Sequence, residues 1–273
     1  MSLHGRPKRS LGQNFLVDPT LARRIVDAAP IEPGDTVVEI GPGRGALTHG
    51  LRERTDRLVL VELDDALAAH WSDRAQHDPG ITLLHADVLE LSLAALGDPA
   101  HTVVVGNIPY NITSPLLFHL LARPRPRAIV VMVQKEVADR LRAEPGSKAY
   151  GALTVGIRTV AEVDGVLRVP PGAFRPRPRV DSAVVRLVPH RPPRLTVDEE
   201  GRLRHVVRAA FQWRRKQIAK VLRDHPDLAL GARADGVLDA VGLPAERRPD
   251  QIAPETWVAL AQAWADARAR GAG

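Results

Sequence analysis

Five short apolar runs, at 36–40, 58–61, 81–84, 102–106 and 128–133, punctuate the first half of the chain, with helix-like segments between them. Runs this short, rich in Val, Ile and Leu and lacking polar alternation, predict strands buried on both faces of a parallel sheet. Strands alternating with helices imply a doubly wound α/β sheet, with ligands at the carboxyl ends of the strands. Ahead of the first strand, Asp18-Pro19-Thr20-Leu21 marks a helix start, with Asp18 as N-cap and Pro19 in the first helical position. Leu21, Ile25 and Val26 line one face of that helix. From Ala152 to Val169 the pattern predicts a helix followed by a strand over 163–169, and 182–188 predicts another strand. No internal repeat is visible.

The pattern changes after a Pro-rich, basic stretch at 189–194, which reads as a linker. Beyond it Leu203, Val207, Ala210, Phe211, Ile218 and Leu222 recur at helical spacing. The remaining faces carry Arg204, Arg208, Arg214, Arg215, Lys216, Lys220 and Arg223. A final helix begins near Pro254, and Trp257, Leu260 and Trp264 at i, i+3 and i+7 predict the core of a small domain. The expected organisation is an α/β domain over 1–188, a linker over 189–194 and an all-α domain over 195–273. The basic helical faces admit two readings. One is ordinary solvated charge, the other a surface that neutralises phosphates.

Candidate chemistry sits at the predicted strand ends. The first strand runs into Gly41-Pro42-Gly43-Arg44-Gly45-Ala46, where glycines let the backbone approach a ligand closely. Taken alone, this turn also satisfies a dinucleotide pattern. Glu62, at the end of the second strand, could hold the ribose hydroxyls of adenosylmethionine or of NAD. The rest of the series favours adenosylmethionine. The third strand ends near Asp87, which can accept from an adenine amino group. The fourth ends in Asn107-Ile108-Pro109-Tyr110, the Asn-x-Pro-Tyr signature of amino-methyltransferases. There Asn107 supplies a carbonyl acceptor, Pro109 fixes the backbone beside a neighbouring carbonyl, and Tyr110 offers a face for stacking. The implied chemistry is in-line displacement by an exocyclic nitrogen. The acceptors Asn107 and the Pro109 or Ile108 carbonyl bind the amino protons and align the lone pair, and no dedicated base is needed.

These residues resemble the ribosomal RNA adenine N6,N6-dimethyltransferase A family, whose relatives include the erythromycin-resistance methyltransferases. Ser10-Leu11-Gly12-Gln13-Asn14-Phe15-Leu16 resembles the family's N-terminal motif, and Glu39 to Thr48 its glycine loop. Gly106 to Ile112 resembles its catalytic loop. Further matching blocks are Val133 to Ala138, Pro145 to Gly151, Phe174 to Val184, and Phe211 with Arg214-Arg215-Lys216. After Lys216 the chain reads Gln217-Ile218-Ala219-Lys220, where the family usually continues Thr-Leu and then Asn. Arg248-Pro249-Asp250-Gln251-Ile252 matches loosely.

The resemblance implies a Rossmann-like class I methyltransferase sheet with a small C-terminal all-α domain, and S-adenosyl-L-methionine as cofactor. It implies that Asn14, Leu16, Gly41, Glu62, Asp87 and Asn107 hold the cofactor, and that Tyr110 stacks on the target base. Phe174 is a second aromatic candidate or else a core residue. Arg175, Arg177 and Arg179 add charge beside the mouth, and Arg208, Arg214, Arg215, Lys216 and Lys220 are the candidate RNA contacts. The implied substrate is a pair of adjacent adenines near the 3′ end of small-subunit rRNA, in a pre-assembled subunit. Two other readings are a resistance enzyme acting on a large-subunit adenine and a non-catalytic RNA-binding role. Such a base must be single-stranded or flipped to reach the pocket.

Composition changes the picture little. A formal net charge of +6 and a pI near 10.2 suit a polyanionic partner, although abundant Arg with scarce Lys also reflects codon bias. The chain has no Cys, and its ten His include no H-x-x-x-H spacing, so no metal site is expected. Residues 1–9 are basic without an apolar core, and no apolar run is long enough to span a bilayer. The expectation is a cytoplasmic protein, with nothing demanding more than a monomer.

Overall fold

Parallel strands feeding helices, as the apolar runs predict, form the centre of the first of two units. The computed structural model describes Lys8 and residues 12–270. Ser10 and Leu11 of the N-terminal motif, and all of residues 1–9 except Lys8, lie outside the described residues. The chain divides into two units. The first runs to Ala138 and takes back Val163–Pro189, and the second joins Asp139–Glu162 to the residues from His190 onward.

In the first unit the strands are β1 (Phe15–Leu16), β2 (Thr36–Ile40), β3 (Arg57–Glu62), β4 (Ile81–His85) and β5 (Thr102–Asn107). They continue with β6 (Ala128–Gln134), β7 (Ala161–Val169), β8 (Phe174–Arg175) and β9 (Ser182–Pro189). Seven form one sheet in the order β4-β3-β2-β5-β6-β9-β7. β2 pairs in parallel with β3 and β5, β3 with β4, and β5 with β6, while β9 runs antiparallel to β6. The helices are α1 (Pro19–Ala28), α2 (Thr48–Arg52), α3 (Asp65–His77) and α4 (Thr113–Leu120). α5 (Lys135–Leu141) follows β6. Residues of β2, β5 and β6 are almost wholly buried, as expected of central parallel strands. β4 differs, because it is the sheet edge and stays half-exposed. Asp18 Oδ1 accepts from the N–H of Thr20 and Leu21 and starts α1. Asp64 Oδ1 does the same for α3, accepting from Ala66 and Leu67.

The second unit holds α6 (Ala152–Arg158), α7 (Val197–Gln212), α8 (Ile218–Asp224), α9 (Ala234–Ala240) and α10 (Pro254–Ala269). A capping box opens α7, in which Thr196 Oγ1 accepts from Glu199 N at 3.3 Å and Glu199 Oε2 accepts from Thr196 N at 2.7 Å. Trp257, Leu260 and Trp264 are buried in its core beside Tyr150, Val155 and Leu203. The boundary expected from sequence needs correcting here, because 139–162 belongs to this unit. Tyr150 is fully buried in the helical core and its hydroxyl donates to Ile252 O at 2.6 Å. Gly146 N donates to Asp250 O at 2.6 Å. A linker read from composition follows chain order, and cannot reveal that a segment preceding β7 was already part of the second core.

A second difference concerns the basic run. α7 stops at Gln212 and α8 starts at Ile218, so Arg214, Arg215 and Lys216 occupy the turn between two helices.

Candidate active site

The carboxyl ends of β2, β3 and β5, with the turn after β4, open onto a cleft of roughly 950 Å³ counting its mouth. Its lining includes Asn14, Phe15, Gly41, Glu62, Asp87, Asn107 and Tyr110. Gly41 and Gly43 sit in the left-handed region, at φ 65° and 54°, where a side chain is strained. A Cβ on Gly43 would also meet the Phe15 ring at 3.1 Å. Trp71 Nε1 donates to Gly43 O at 2.9 Å and pins the loop from below. Gly106 lacks a Cβ for another reason. One built there would lie 2.8 Å from Ile40 O, so β2 and β5 could not stay paired as they are at the cleft floor.

Glu62 organises the next strand end. Its Oε2 accepts from Gly43 N at 3.2 Å, and its Oε1 accepts from Leu63 N and Asp64 N, both at 2.9 Å. Burial pushes the carboxyl above the usual range, while the three N–H groups pull it back. Asp87 Oδ1 accepts from Leu89 N at 2.9 Å. That bond uses one carboxylate oxygen, and Oδ2 is the second acceptor.

At the end of β5, Asn107 Nδ2 donates to Asn14 O at 2.9 Å. This bond fixes the amide's orientation and leaves Oδ1 as its acceptor. Ile108 N donates to Met132 O at 3.2 Å. Pro109 O already accepts from Ile112 N at 3.2 Å and from Thr113 Oγ1 at 3.4 Å. Of the two carbonyls proposed to assist Asn107, Ile108 O is therefore the better placed. Tyr110 is half-buried on the cleft wall.

Two of the expected site residues sit apart from the cleft lining. Leu16 and Phe174 are core residues, 6 % and 0 % exposed, packed with Ile25, Leu47 and Trp71. Neither lines the cleft. The reason is the pairing of β1 with β8, which sets Leu16 opposite Phe174 and Phe15 opposite Arg175. Alternate residues of a strand face opposite sides, so Phe15 takes the cleft side, with the Arg44 guanidinium 4.5 Å from its ring centre. Phe15 was missed as a site residue. A two-residue strand has no alternation from which to read its face.

Glu39, on β2 just before the glycine loop, was also passed over. It is fully buried, and its Oε2 has no hydrogen-bond partner. Burial, with the Glu62 charge adding to it, pushes its carboxyl from 4.5 to about 8. The folded chain thus keeps a proton there that the unfolded chain releases. Its contribution to stability falls as pH rises from about 4.5 to about 8, then levels off. Glu39→Gln should gain stability on the wild type across that window and hold a constant gain above it. Denaturant melts at a series of pH values check this, and a pH-independent difference would refute it.

The candidate RNA contacts separate into two groups. Arg177, Arg179, Arg208, Arg215 and Lys216 are exposed. Arg175 is exposed too, though its Nη1 donates to Phe174 O at 2.8 Å. Arg214 is engaged internally, with Asp250 Oδ2 at 3.3 Å and donation to the carbonyls of Ser147 and Lys148. Lys220 pairs with Asp224 at 2.8 Å, one turn along α8. Among the described residues, no group of three or more His, Asp or Glu assembles as metal ligands, and no helix is long and apolar enough to cross a membrane.

The sheet order and its antiparallel β9 are those of a class I, S-adenosyl-L-methionine-dependent methyltransferase. Comparison with known proteins narrows the class. The model of the family described as ribosomal RNA adenine dimethylase matches residues 5–248. Ribosomal RNA small subunit methyltransferase A of Geobacillus kaustophilus is 41 % identical over 94 % of this chain and 91 % of that protein. Its namesake from Aromatoleum aromaticum is 46 % identical over 84 % of this chain and 85 % of its own length. Among solved structures, a dimethyladenosine transferase from Plasmodium falciparum superposes with a TM-score of 0.81 at 25 % identity. That match covers 93 % of this chain and 98 % of the other. The 23S rRNA methyltransferase ErmE gives a TM-score of 0.70 at 29 % identity, over 92 % of this chain and all of its own. The chain belongs to the ribosomal RNA adenine dimethylase family, and its methyl donor is S-adenosyl-L-methionine.

Proposed function

We propose that this enzyme dimethylates N6 of two adjacent adenines near the 3′ end of small-subunit (16S) rRNA, within a pre-assembled small subunit in the cytoplasm, and acts as a monomer. The observation that carries the reading is the extent of the match. Identity of 41 % to a small-subunit methyltransferase A runs over 94 % of the chain, through the helical second unit as well as the cleft. ErmE, named for 23S rRNA, is 29 % identical.

The cleft suits the methyl donor. Ile40, Val61, Leu67 and Val88 offer apolar walls for a purine, Glu62 lies where ribose hydroxyls need an acceptor, and Asp87 can accept from the adenine amine. Bound there, the cofactor supplies a methyl group already activated for displacement. Asn107 Oδ1 and Ile108 O then accept the two amino hydrogens of the target adenine. Accepting both hydrogen bonds from off the ring plane favours a pyramidal nitrogen, draws its lone pair out of conjugation and aims it at the methyl group. Tyr110 stacks on the base, and the exposed cations hold the RNA backbone.

Among those cations, Arg215 and Lys216 are exposed, whereas Arg214 ties the 147–148 turn to Asp250. Arg215→Glu with Lys216→Glu should weaken RNA binding and lower the log–log salt slope by about 2. Arg214→Ala should instead lower the melting temperature with little change in that slope. Equal slopes in the wild type and the double variant would make this turn an ordinary solvated surface.

The substrate is tested by methyl transfer from labelled adenosylmethionine to unmodified small subunits, large-subunit RNA and free RNA in parallel. Dimethyladenosine confined to small-subunit particles is expected. Label in large-subunit RNA would overturn the reading in favour of a resistance enzyme.

A further inference from the structure

Tyr110 is anchored at one point. Its hydroxyl lies 2.6 Å from Ser182 Oγ, 72 residues away in sequence. Ser182 is the first residue of β9 and fully buried, opposite Gln134 at the end of β6. The residue before it is held twice. Asp181 O accepts from Lys135 N at 2.9 Å, and the Asp181 carboxylate pairs with Arg168 of β7. The serine therefore stands on a platform tied to the two neighbouring strands, while the tyrosine belongs to the loop after β5.

That contrast has a consequence for the ring. A tyrosine on a loop turns about two side-chain torsions, and its ring can swing out of the cleft. Fixing the far end of the side chain to a rigid strand removes that swing. We infer that Ser182 is a positioning residue, which locks the Tyr110 ring as a preformed stacking wall for the target base. The inference rests on the reading of Tyr110 as the stacking face. Without the tether, the enzyme must order the ring at each binding event, and part of the binding free energy goes into that ordering. Burial, which pushes the Tyr110 hydroxyl above its ordinary range, keeps the tether neutral across the working range of pH.

The chain contains two tyrosines, and the other is Tyr150 in the core of the helical unit, donating to Ile252 O. Protein labelled at the tyrosine rings therefore gives two sets of resonances, with Tyr150 as an internal reference. Ser182→Ala should shift and average the Tyr110 signals while those of Tyr150 stay put. It should also lower kcat for RNA methylation roughly ten-fold, less than the ~100-fold that a 1 Å misplacement of a reacting group costs. Adenosylmethionine affinity should not change. Tyr110→Phe keeps the ring and removes the tether from the other side, so it should match Ser182→Ala, and the double variant should be no worse than either.

Unmoved Tyr110 resonances in Ser182→Ala would overturn the inference. So would effects of the two substitutions that multiply. A drop in melting temperature with kcat and resonances unchanged would make the contact one of stability alone, which also overturns it. Should the wild type fail to methylate any rRNA, the proposed function fails, and the resonances still decide the tether.

Discussion

Asn107→Ala loses methyl transfer by ~100- to 1,000-fold, the cost of deleting one preorganised acceptor or donor at a reacting centre. The expectation follows from how the side chain is held. Its Nδ2 is bound to Asn14 O at 2.9 Å, so Oδ1 is oriented before substrate arrives. Alanine removes the acceptor from the nucleophile and leaves Asn14 O without this donor. Because Asn14 also lines the cofactor cleft, adenosylmethionine affinity should fall, but far less than turnover. Single-turnover methyl transfer and a calorimetric titration of adenosylmethionine separate the two effects. Retained turnover would remove Asn107 from the chemistry. Turnover and affinity falling together would make it a cofactor residue.

Glu62→Gln should weaken adenosylmethionine binding by roughly 10- to 100-fold, which corresponds to about 1.4–2.8 kcal/mol. The substitution is nearly isosteric, so the effect comes from replacing an acceptor with a donor. The carboxylate accepts three backbone N–H groups, through Oε1 from Leu63 and Asp64 and through Oε2 from Gly43. A glutamine amide can satisfy the first pair with its oxygen. It then aims an NH₂ group at the Gly43 N–H, two donors face to face in a buried site. Leaving such a group unsatisfied costs ~1–3 kcal/mol. The glycine loop shifts to escape, and the loop forms part of the cofactor cleft. Calorimetry of adenosylmethionine binding and a thermal melt check both consequences. Unchanged affinity would mean that neither the Glu62 carboxylate nor its hold on the glycine loop contributes to binding the cofactor, and would refute both roles.

Much of this site could be read from sequence because its signals are local. A β-branched run followed by glycines, an acid or Asn-x-Pro-Tyr marks a strand end wherever it occurs, and Gly41, Glu62, Asp87 and Asn107 line one cleft. The α/β sheet and the helical second unit agree with expectation for the same reason. What could not be read depends on partners distant in sequence. Whether Phe15 or Leu16 faces the cleft is decided by the pairing of β1 with β8, about 160 residues apart. The same pairing takes Phe174 into the core. Arg214 and Arg215 are neighbours of one chemical type. Only the fold reveals that Asp250 and two carbonyls hold the first while the second is exposed. The assignment of 139–162 to the helical unit rests on contacts such as Tyr150 with Ile252, which no local composition announces. Glu39 was overlooked because a single acid inside an apolar run gives no sign of whether it is paired or buried alone.

The central claim is that one cleft holds the methyl donor against an adenine whose amine is gripped by Asn107. A structure of the enzyme with S-adenosylhomocysteine and a short adenine-bearing RNA tests it most directly. The account predicts Asn107 Oδ1 and Ile108 O within hydrogen-bond reach of adenine N6, about 2.6–3.2 Å. It also predicts the base plane against Tyr110 and the Glu62 carboxylate on the ribose hydroxyls. An adenine seated with N6 away from Asn107, or a cofactor lying outside the cleft at the ends of β2, β3 and β5, would contradict it.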